Sequence, residues 1–271
     1  MCGRYAASRS AGELAGLFGV EKRDPAEEPA PDWNVAPTKQ VYAVLDRPVK
    51  DSGDPRPVRQ LRTLRWGLVP SWAKSPDVGV KMINARAETV HEKPSYRRPF
   101  AARRCLLPAD GYYEWVTGTA ERQEEEKGRR KRPRKQPYFV TPADGSVMAM
   151  AGLYEFWRDR TLPEDHSQAW WSTCTVITTE AQSEPFAGAG GDGPRSLADI
   201  HPRMPLVLTP DRWDAWLDPA RTDAEEVRGL LVPPPAGAMR AYPVRGEVSN
   251  VRNNGPGLLE ELDAPEAGTL F

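Results

Sequence analysis

Residues 104–116 read Arg-Cys-Leu-Leu-Pro-Ala-Asp-Gly-Tyr-Tyr-Glu-Trp-Val. Two short runs rich in apolar and aromatic residues, Arg104–Pro108 and Gly111–Val116, read as strands with only Ala109 and Asp110 between them. No helical period separates them, so this stretch does not belong to a strand–helix–strand alternation. The same pattern recurs in both directions. Gln40–Leu45, Val58–Trp66, Pro137–Thr141, Val147–Trp157, Cys174–Thr179, Met204–Thr209 and Arg240–Val244 complete a series of short strand-like runs.

Helical signals are fewer. Ser10 with Glu13 forms a capping box ahead of Leu14, Leu17 and Phe18. Thr209 caps a segment with Pro210 in its first turn and Trp213 and Trp216 behind it. Thr222 with Glu225 makes a second capping box before Val227, Leu230 and Leu231. Many short strands, few helices and no βαβ rhythm predict an α+β domain built on twisted, mostly antiparallel β-sheets. Segment 21–33 is rich in Pro, Asp and Glu and reads as a surface loop. Two further stretches read as inserted loops. One, about 118–135, runs from acidic to basic, either a solvated tip or an arm that gathers phosphate. The other, 187–195, is Gly-rich but carries no phosphate-cradling pattern.

At 271 residues the chain suits one large domain or two small ones. No apolar run approaches the roughly eighteen residues that span a bilayer, and the start lacks a secretory h-region. A cytoplasmic protein with access to the nucleoid is expected, with no membrane partner. Three cysteines at spacings unlike any zinc framework read as free thiols. His91 and His166 make no ligand pair, so neither a metal nor another cofactor is expected. The net charge of −1 means that any nucleic-acid contact rests on a local patch.

Cys2 is the most informative residue. Removal of Met1, favoured by a small second residue, leaves an α-amine and a thiol on adjacent carbons. Their ordinary pKa values, about 8 and about 8.5, put both nucleophiles within reach near neutrality. The amine condenses with an aldehyde to a Schiff base, and the thiolate then closes a thiazolidine on the same carbon. A 1,2-aminothiol therefore suits the trapping of an aldehyde. The plain alternative is a small, tolerated second residue.

The wider chain decides between these. Met1-Cys-Gly-Arg-Tyr5 is followed by Asn34-Val-Ala-Pro37, Trp66-Gly-Leu-Val-Pro-Ser-Trp72 and Ile83-Asn-Ala-Arg-Ala-Glu-Thr89. Then come Asp110-Gly-Tyr-Tyr-Glu-Trp115, Ile200-His-Pro-Arg-Met-Pro205 and Val248-Ser-Asn-Val-Arg-Asn-Asn254. In order and together these blocks resemble the SRAP family (SOS response-associated peptidase, or abasic site processing protein). The resemblance implies a single SRAP-like domain over 1–255, with mostly antiparallel sheets forming a barrel-like core and a few flanking helices. Residues 256–271 would be a C-terminal tail.

It also implies a catalytic set matched by Cys2, Asn84, Glu114 and His201, with Arg86 beside them and Thr178 lining the site. Arg86 offers a planar fork for a phosphate, and Asn84 can hold a sugar or backbone oxygen. Glu114, if partly buried, can manage protons at the amine, and His201 can protonate the ring oxygen that opens the sugar. Read alone, Glu114 would be a solvent-face carboxylate and His201 the end of a loop. Asn84 and Arg86, one residue apart, share a face on a strand. Arg4, Arg86, Arg97, Arg98, Arg103 and Arg104 are candidates for a backbone-tracking groove. Trp66, Trp72, Tyr112 and Trp115 are candidates for base stacking, or else core residues. Ala73 stands where the family often has a second Trp.

The expected function is covalent capture of abasic sites in single-stranded DNA, including single-strand/double-strand junctions, by a monomer, with AP-lyase and autoproteolytic activity as extensions. A cysteine peptidase or N-terminal-nucleophile hydrolase, and a non-catalytic single-strand DNA-binding module, remain as alternatives.

Overall fold

The structure is a computed structural model and describes residues 2–23, 28–49, 53–117, 135–190 and 193–262. In chain order its strands begin with β1 (Tyr5–Ala7), β2 (Lys22–Arg23), β3 (Asp32–Val35), β4 (Gln40–Pro48) and β5 (Pro57–Trp66). They continue with β6 (Asn84–Arg86), β7 (Arg104–Ala109), β8 (Gly111–Thr117) and β9 (Lys135–Pro142). The last are β10 (Met148–Arg158), β11 (Trp170–Glu180), β12 (Arg203–Pro205) and β13 (Met239–Pro243). The helices are α1 (Ala11–Phe18), α2 (Arg97–Ala102), α3 (Leu197–Ile200), α4 (Trp213–Leu217) and α5 (Ala224–Arg228).

Five strands close on themselves. The order β11–β10–β7–β4–β5 is antiparallel throughout, and β5 then pairs in parallel with β11 at Arg65↔Thr173 and Trp66↔Cys174. Alternation along each strand sorts side chains into two sets. Val41, Ala43, Leu45, Leu64, Trp66, Cys105, Leu107, Met150, Tyr154, Cys174 and Val176 form one cluster, the barrel interior. Val44, Leu61, Leu106, Ala151, Leu153 and Ile177 point the other way and pack under Leu14 and Phe18 of α1 and Trp216 of α4. The interior leaves no slack at Gly152, where a Cβ would lie 3.0 Å from Cys105 Sγ and from Leu107 Cδ1. Glycine there lets strands close around large neighbours.

A second sheet, ordered β13–β9–β8–β1–β3 and wholly antiparallel, packs over one mouth of the barrel. Its inner residues Tyr5, Val35, Tyr112, Val140 and Met239 join the interior cluster, and the Tyr5 ring meets Trp66 edge-on at 5.0 Å. This is the α+β, barrel-cored fold expected, with parallel pairings added at β2–β5, β5–β11 and β6–β11.

Local readings fared unevenly. The Ser10–Glu13 capping box is present in full. The box expected at Thr222 is displaced by one residue: Asp223 caps α5, its carboxylate accepting from the backbone of Glu225 and Glu226. Thr209 accepts no capping bond, and a 3-10 turn at Pro210–Arg212 leads into α4 instead. Within 204–209 only Met204 and Pro205 are strand, with a single bridge from Val207 to Met150. The expected loop 21–33 contains β2 and the start of β3, and its residues 24–27 lie outside the described residues. So do residues 118–134, nearly all of the expected charged loop. Around the 187–195 loop, bridges tie Ala187 to Arg240 and Pro185 to Ser196, while 191–192 also lie outside the description. Beyond residue 255, Leu258 packs into the cluster around Tyr113 and Tyr242, and Leu262 donates to the Pro243 carbonyl at 2.9 Å. Among the described residues no helix is long and apolar enough to cross a membrane.

Candidate active site

The covering sheet delivers the chain start to the barrel mouth. β1 is held between β8 (Tyr5↔Tyr112) and β3 (Tyr5↔Val35), and the Arg4 carbonyl accepts from Tyr113 N–H at 2.9 Å. Just before it, Cys2 is fully buried. Its carbonyl accepts a 2.8 Å hydrogen bond from Asn84 Nδ2. β6 carries Asn84 parallel to β11, with Asn84 opposite Val176 and Arg86 opposite Thr178. Ala85 is buried between them and Arg86 is exposed, so Asn84 and Arg86 share one face, as the spacing predicts. Tyr96 Oη donates to the Asn84 carbonyl at 3.2 Å. Asn84 Oδ1 is buried without a hydrogen-bond partner, an acceptor held ready beside Cys2.

Glu114 is 6% exposed, not the solvent-face carboxylate that its alternation with Tyr113 and Trp115 suggests in isolation. Burial raises its pKa, while positive charge at the amino terminus and on His201 pulls the other way. Cys2 feels the same neighbourhood. Burial first, and then the Glu114 charge, push its thiol well above the ordinary range. His201 ends α3, which packs against β8 and opens with a full capping box from Ser196 and Asp199. Its Nδ1 accepts from the backbone N–H of Arg203 at 2.9 Å, which leaves Nε2 as the other functional edge of the ring. Cys2, Asn84, Glu114 and His201 are thus brought together at one barrel mouth.

Thr178 is fully buried on β11 beside them. Its carbonyl accepts from Arg203 Nη2 at 2.6 Å, and the same guanidinium forks onto Glu88 at 2.7 and 3.0 Å. Arg203 thereby ties β6, β11 and the His201 segment into one frame, a role no motif spacing announces. Asn34 is the second unannounced residue. Fully buried, it donates through Nδ2 to the carbonyls of Val248 (3.2 Å), Asn250 (3.0 Å) and Asn253 (2.9 Å). Its Oδ1 accepts from Arg4 Nη1 at 2.7 Å. Its position in the Asn34–Pro37 block was the only signal.

The other candidates are dispersed. Arg4 is engaged by Asn34 and the Val248 carbonyl, and lies 5.7 Å over the Trp115 ring. Trp72 is 63% exposed. Trp66 is a core residue whose Nε1 donates to Ile83 O, and Trp115 is partly buried with its Nε1 on Ser249 Oγ. Tyr112 is buried in the shared core. Arg97 and Arg98 are exposed on α2, and Arg103 pairs with Glu155. Arg104 is no groove residue. It is 2% exposed, its guanidinium donates to the carbonyls of Phe100, Ala101, Trp216, Asp218 and Arg221, and burial pulls its pKa down to about 10. Among the described residues no group of three or more His, Cys, Asp or Glu is gathered for a metal.

Fold and site together define a class: a barrel roofed by a sheet, with the candidate nucleophile in the second residue of the chain. The sequence profile of the SOS response associated peptidase (SRAP) family matches residues 1–251, and the chain belongs to that family. It is 36% identical over 261 residues to the abasic site processing protein YoqW of Bacillus subtilis, covering 96% of this chain and 99% of that one. The abasic site processing protein HMCES of Gallus gallus is 29% identical over 296 residues, covering 97% of this chain and 78% of its own. A crystal structure of a Bacteroides thetaiotaomicron protein superposes with a TM-score of 0.71 at 24% identity, over 96% of this chain and all of that one, an agreement in fold.

Proposed function

We propose that this chain processes abasic sites in DNA by capturing the sugar aldehyde covalently on Cys2 once Met1 is removed. The observation that carries this reading is the seating of Cys2. Asn84 fixes its carbonyl, and Glu114 lies within electrostatic reach of both its thiol and the amino terminus. His201, through Nε2, assists opening of the sugar ring to its aldehyde. The Cys2 amine adds to that carbon and expels one water to form a Schiff base, with Glu114 relaying the protons. The thiol sulfur then adds to the C=N carbon while its proton passes to the nitrogen, closing a thiazolidine with no further loss of atoms.

Burial holds the thiol protonated until a base is at hand, and the raised Glu114 is suited to that exchange. Arg86, exposed beside Asn84, and Trp72, exposed on the loop after β5, supply phosphate and stacking contacts that tolerate any sequence. The partner is single-stranded DNA or a single-strand/double-strand junction, bound by a monomer in the cytoplasm. A persistent Schiff base also opens a route to β-elimination, hence AP-lyase activity, and Cys2 can serve removal of Met1. The test is a denaturing gel after incubation with an abasic oligonucleotide. Wild-type protein is expected to give a stable adduct, and Cys2→Ser only one that needs borohydride reduction to survive. A stable adduct from Cys2→Ser without reduction refutes the thiazolidine.

A further inference from the structure

Trp157 and Trp171 are register partners on β10 and β11. Each lies an odd number of residues from an inward-facing neighbour, Tyr154 and Cys174, so both sit on the outer face of the barrel. Segment 67–83, which links β5 to β6, crosses that face and is fastened to it. Its N–H groups at Gly67 and Val69 donate to the Cys174 carbonyl at 2.8 Å and to Thr173 Oγ1 at 2.9 Å. Leu68 N–H donates to the Met82 carbonyl at 3.1 Å, which draws the two ends of the segment together. Gly67 and Gly79 permit this closure, because a Cβ on either would lie 2.6 Å from the carbonyl oxygen of the other.

The tip of the segment is pinned as well. Ala73 N–H donates to the Pro70 carbonyl at 2.9 Å, closing a turn with Trp72 in its third position. Trp72 is exposed, whereas Ala73 is buried with Val69 against Trp157. The Trp157 Nε1–H, which can only donate, bonds the Ala73 carbonyl at 2.7 Å in a buried contact. Behind it Trp171 stands edge-on to Trp157 at 6.0 Å, and the Arg65 guanidinium lies 5.1 Å over the Trp171 ring. A ladder of side chains from three barrel strands thus ends on the backbone of the residue next to Trp72. An exposed ring whose backbone is already fixed loses less freedom when a base stacks on it, so more of the stacking energy appears as affinity.

We propose that Trp157 is a positioning residue for DNA binding: by holding the Ala73 carbonyl it fixes the turn that displays Trp72, and it acts on affinity only through Trp72. The inference rests on the reading that Trp72 stacks on bases of single-stranded DNA. A Trp157 that served the barrel alone would change stability, and any effect on binding would be the same with or without the Trp72 ring.

The experiment is a double-mutant cycle in the full chain, with poly-dT affinity read by fluorescence anisotropy. Trp157→Phe keeps a ring against Trp171 and removes the indole donor. Trp72→Ala is expected to weaken poly-dT binding about tenfold, and Trp157→Phe about fivefold. Trp157→Phe added to Trp72→Ala should cost nothing further. Gly79→Ala, which forces Gly67 and Gly79 apart, disturbs the same turn from its other end and should show the same dependence on Trp72; it decides the matter where Trp157→Phe does not fold. Equal losses with and without the Trp72 ring overturn the proposal, as does wild-type affinity in Trp157→Phe or in Trp72→Ala. Adduct formation on an abasic oligonucleotide is followed in parallel. Coupling between the two tryptophans with no adduct from wild type sinks the capture reading and leaves this one standing, and a normal adduct without coupling does the reverse.

Discussion

Replacing Asn34 with alanine removes a buried junction that joins three separated parts of the chain. Arg4, ahead of β1, and the carbonyls of Val248, Asn250 and Asn253 all bond to this one side chain. The Arg4 bond to Oδ1 is charge-assisted and worth about 2 kcal/mol net. The two Nδ2 hydrogens serve three carbonyls, and counting two full bonds adds about 2 kcal/mol. Alanine leaves these partners with no replacement for an amide that is itself fully buried. The expected cost is about 4 kcal/mol, at the upper end for single substitutions. Urea unfolding followed by tryptophan fluorescence measures it, with an unchanged slope and a lowered midpoint as the signature. A loss below about 1 kcal/mol refutes the idea that Asn34 anchors the chain start, because even one buried unsatisfied partner costs that much.

Further outcomes follow from the same geometry. Asn84→Ala frees the Cys2 carbonyl, and should slow adduct formation about tenfold while lowering stability by only about 1 kcal/mol, measured by adduct time courses and urea midpoints. Burial raises the Glu114 pKa, so the folded protein holds that proton more tightly than the unfolded chain. Its contribution to stability is fully present below the ordinary glutamate value of about 4.3 and is lost as pH climbs through the raised folded value. Glu114→Gln should therefore gain on wild type over that interval and run parallel above it in a pH series of urea midpoints; a constant offset contradicts the linkage. Arg104→Met should abolish folding or cost more than about 3 kcal/mol, because several backbone carbonyls lose their donor in a closed site; a wild-type melting temperature contradicts this. At Gly111 a Cβ would fall 2.4 Å from Phe139 Cζ and from Val140 O, so Gly111→Ala should shift the β8–β9 register and depress adduct formation by displacing Glu114.

Much of the fold was legible because its strands are locally encoded. The runs around Val58, Arg104 and Val147 lie within one residue of the observed strands, and the run from Gln40 starts where its strand does, since alternation and turn residues act locally. Ring closure was not legible, because the parallel pairing of β5 with β11 joins Trp66 to Cys174 across more than a hundred positions. β1 is too short to carry a period, and exists because β3 and β8 flank it. In the site, the i, i+2 spacing of Asn84 and Arg86 gave their shared face. Glu114 burial was hidden, because alternation gives two faces without saying which one the roof of the barrel covers. Arg104 shows the reverse error: a run of arginines reads as a basic patch, yet one of them turns inward to satisfy helix-end carbonyls.

The most direct test is intact mass spectrometry of the purified full chain before and after incubation with a single-stranded oligonucleotide bearing one abasic site. The account predicts loss of Met1, then a gain equal to the oligonucleotide less one water, absent in Cys2→Ala. Processed protein whose mass does not change, or an adduct that persists in Cys2→Ala, contradicts it.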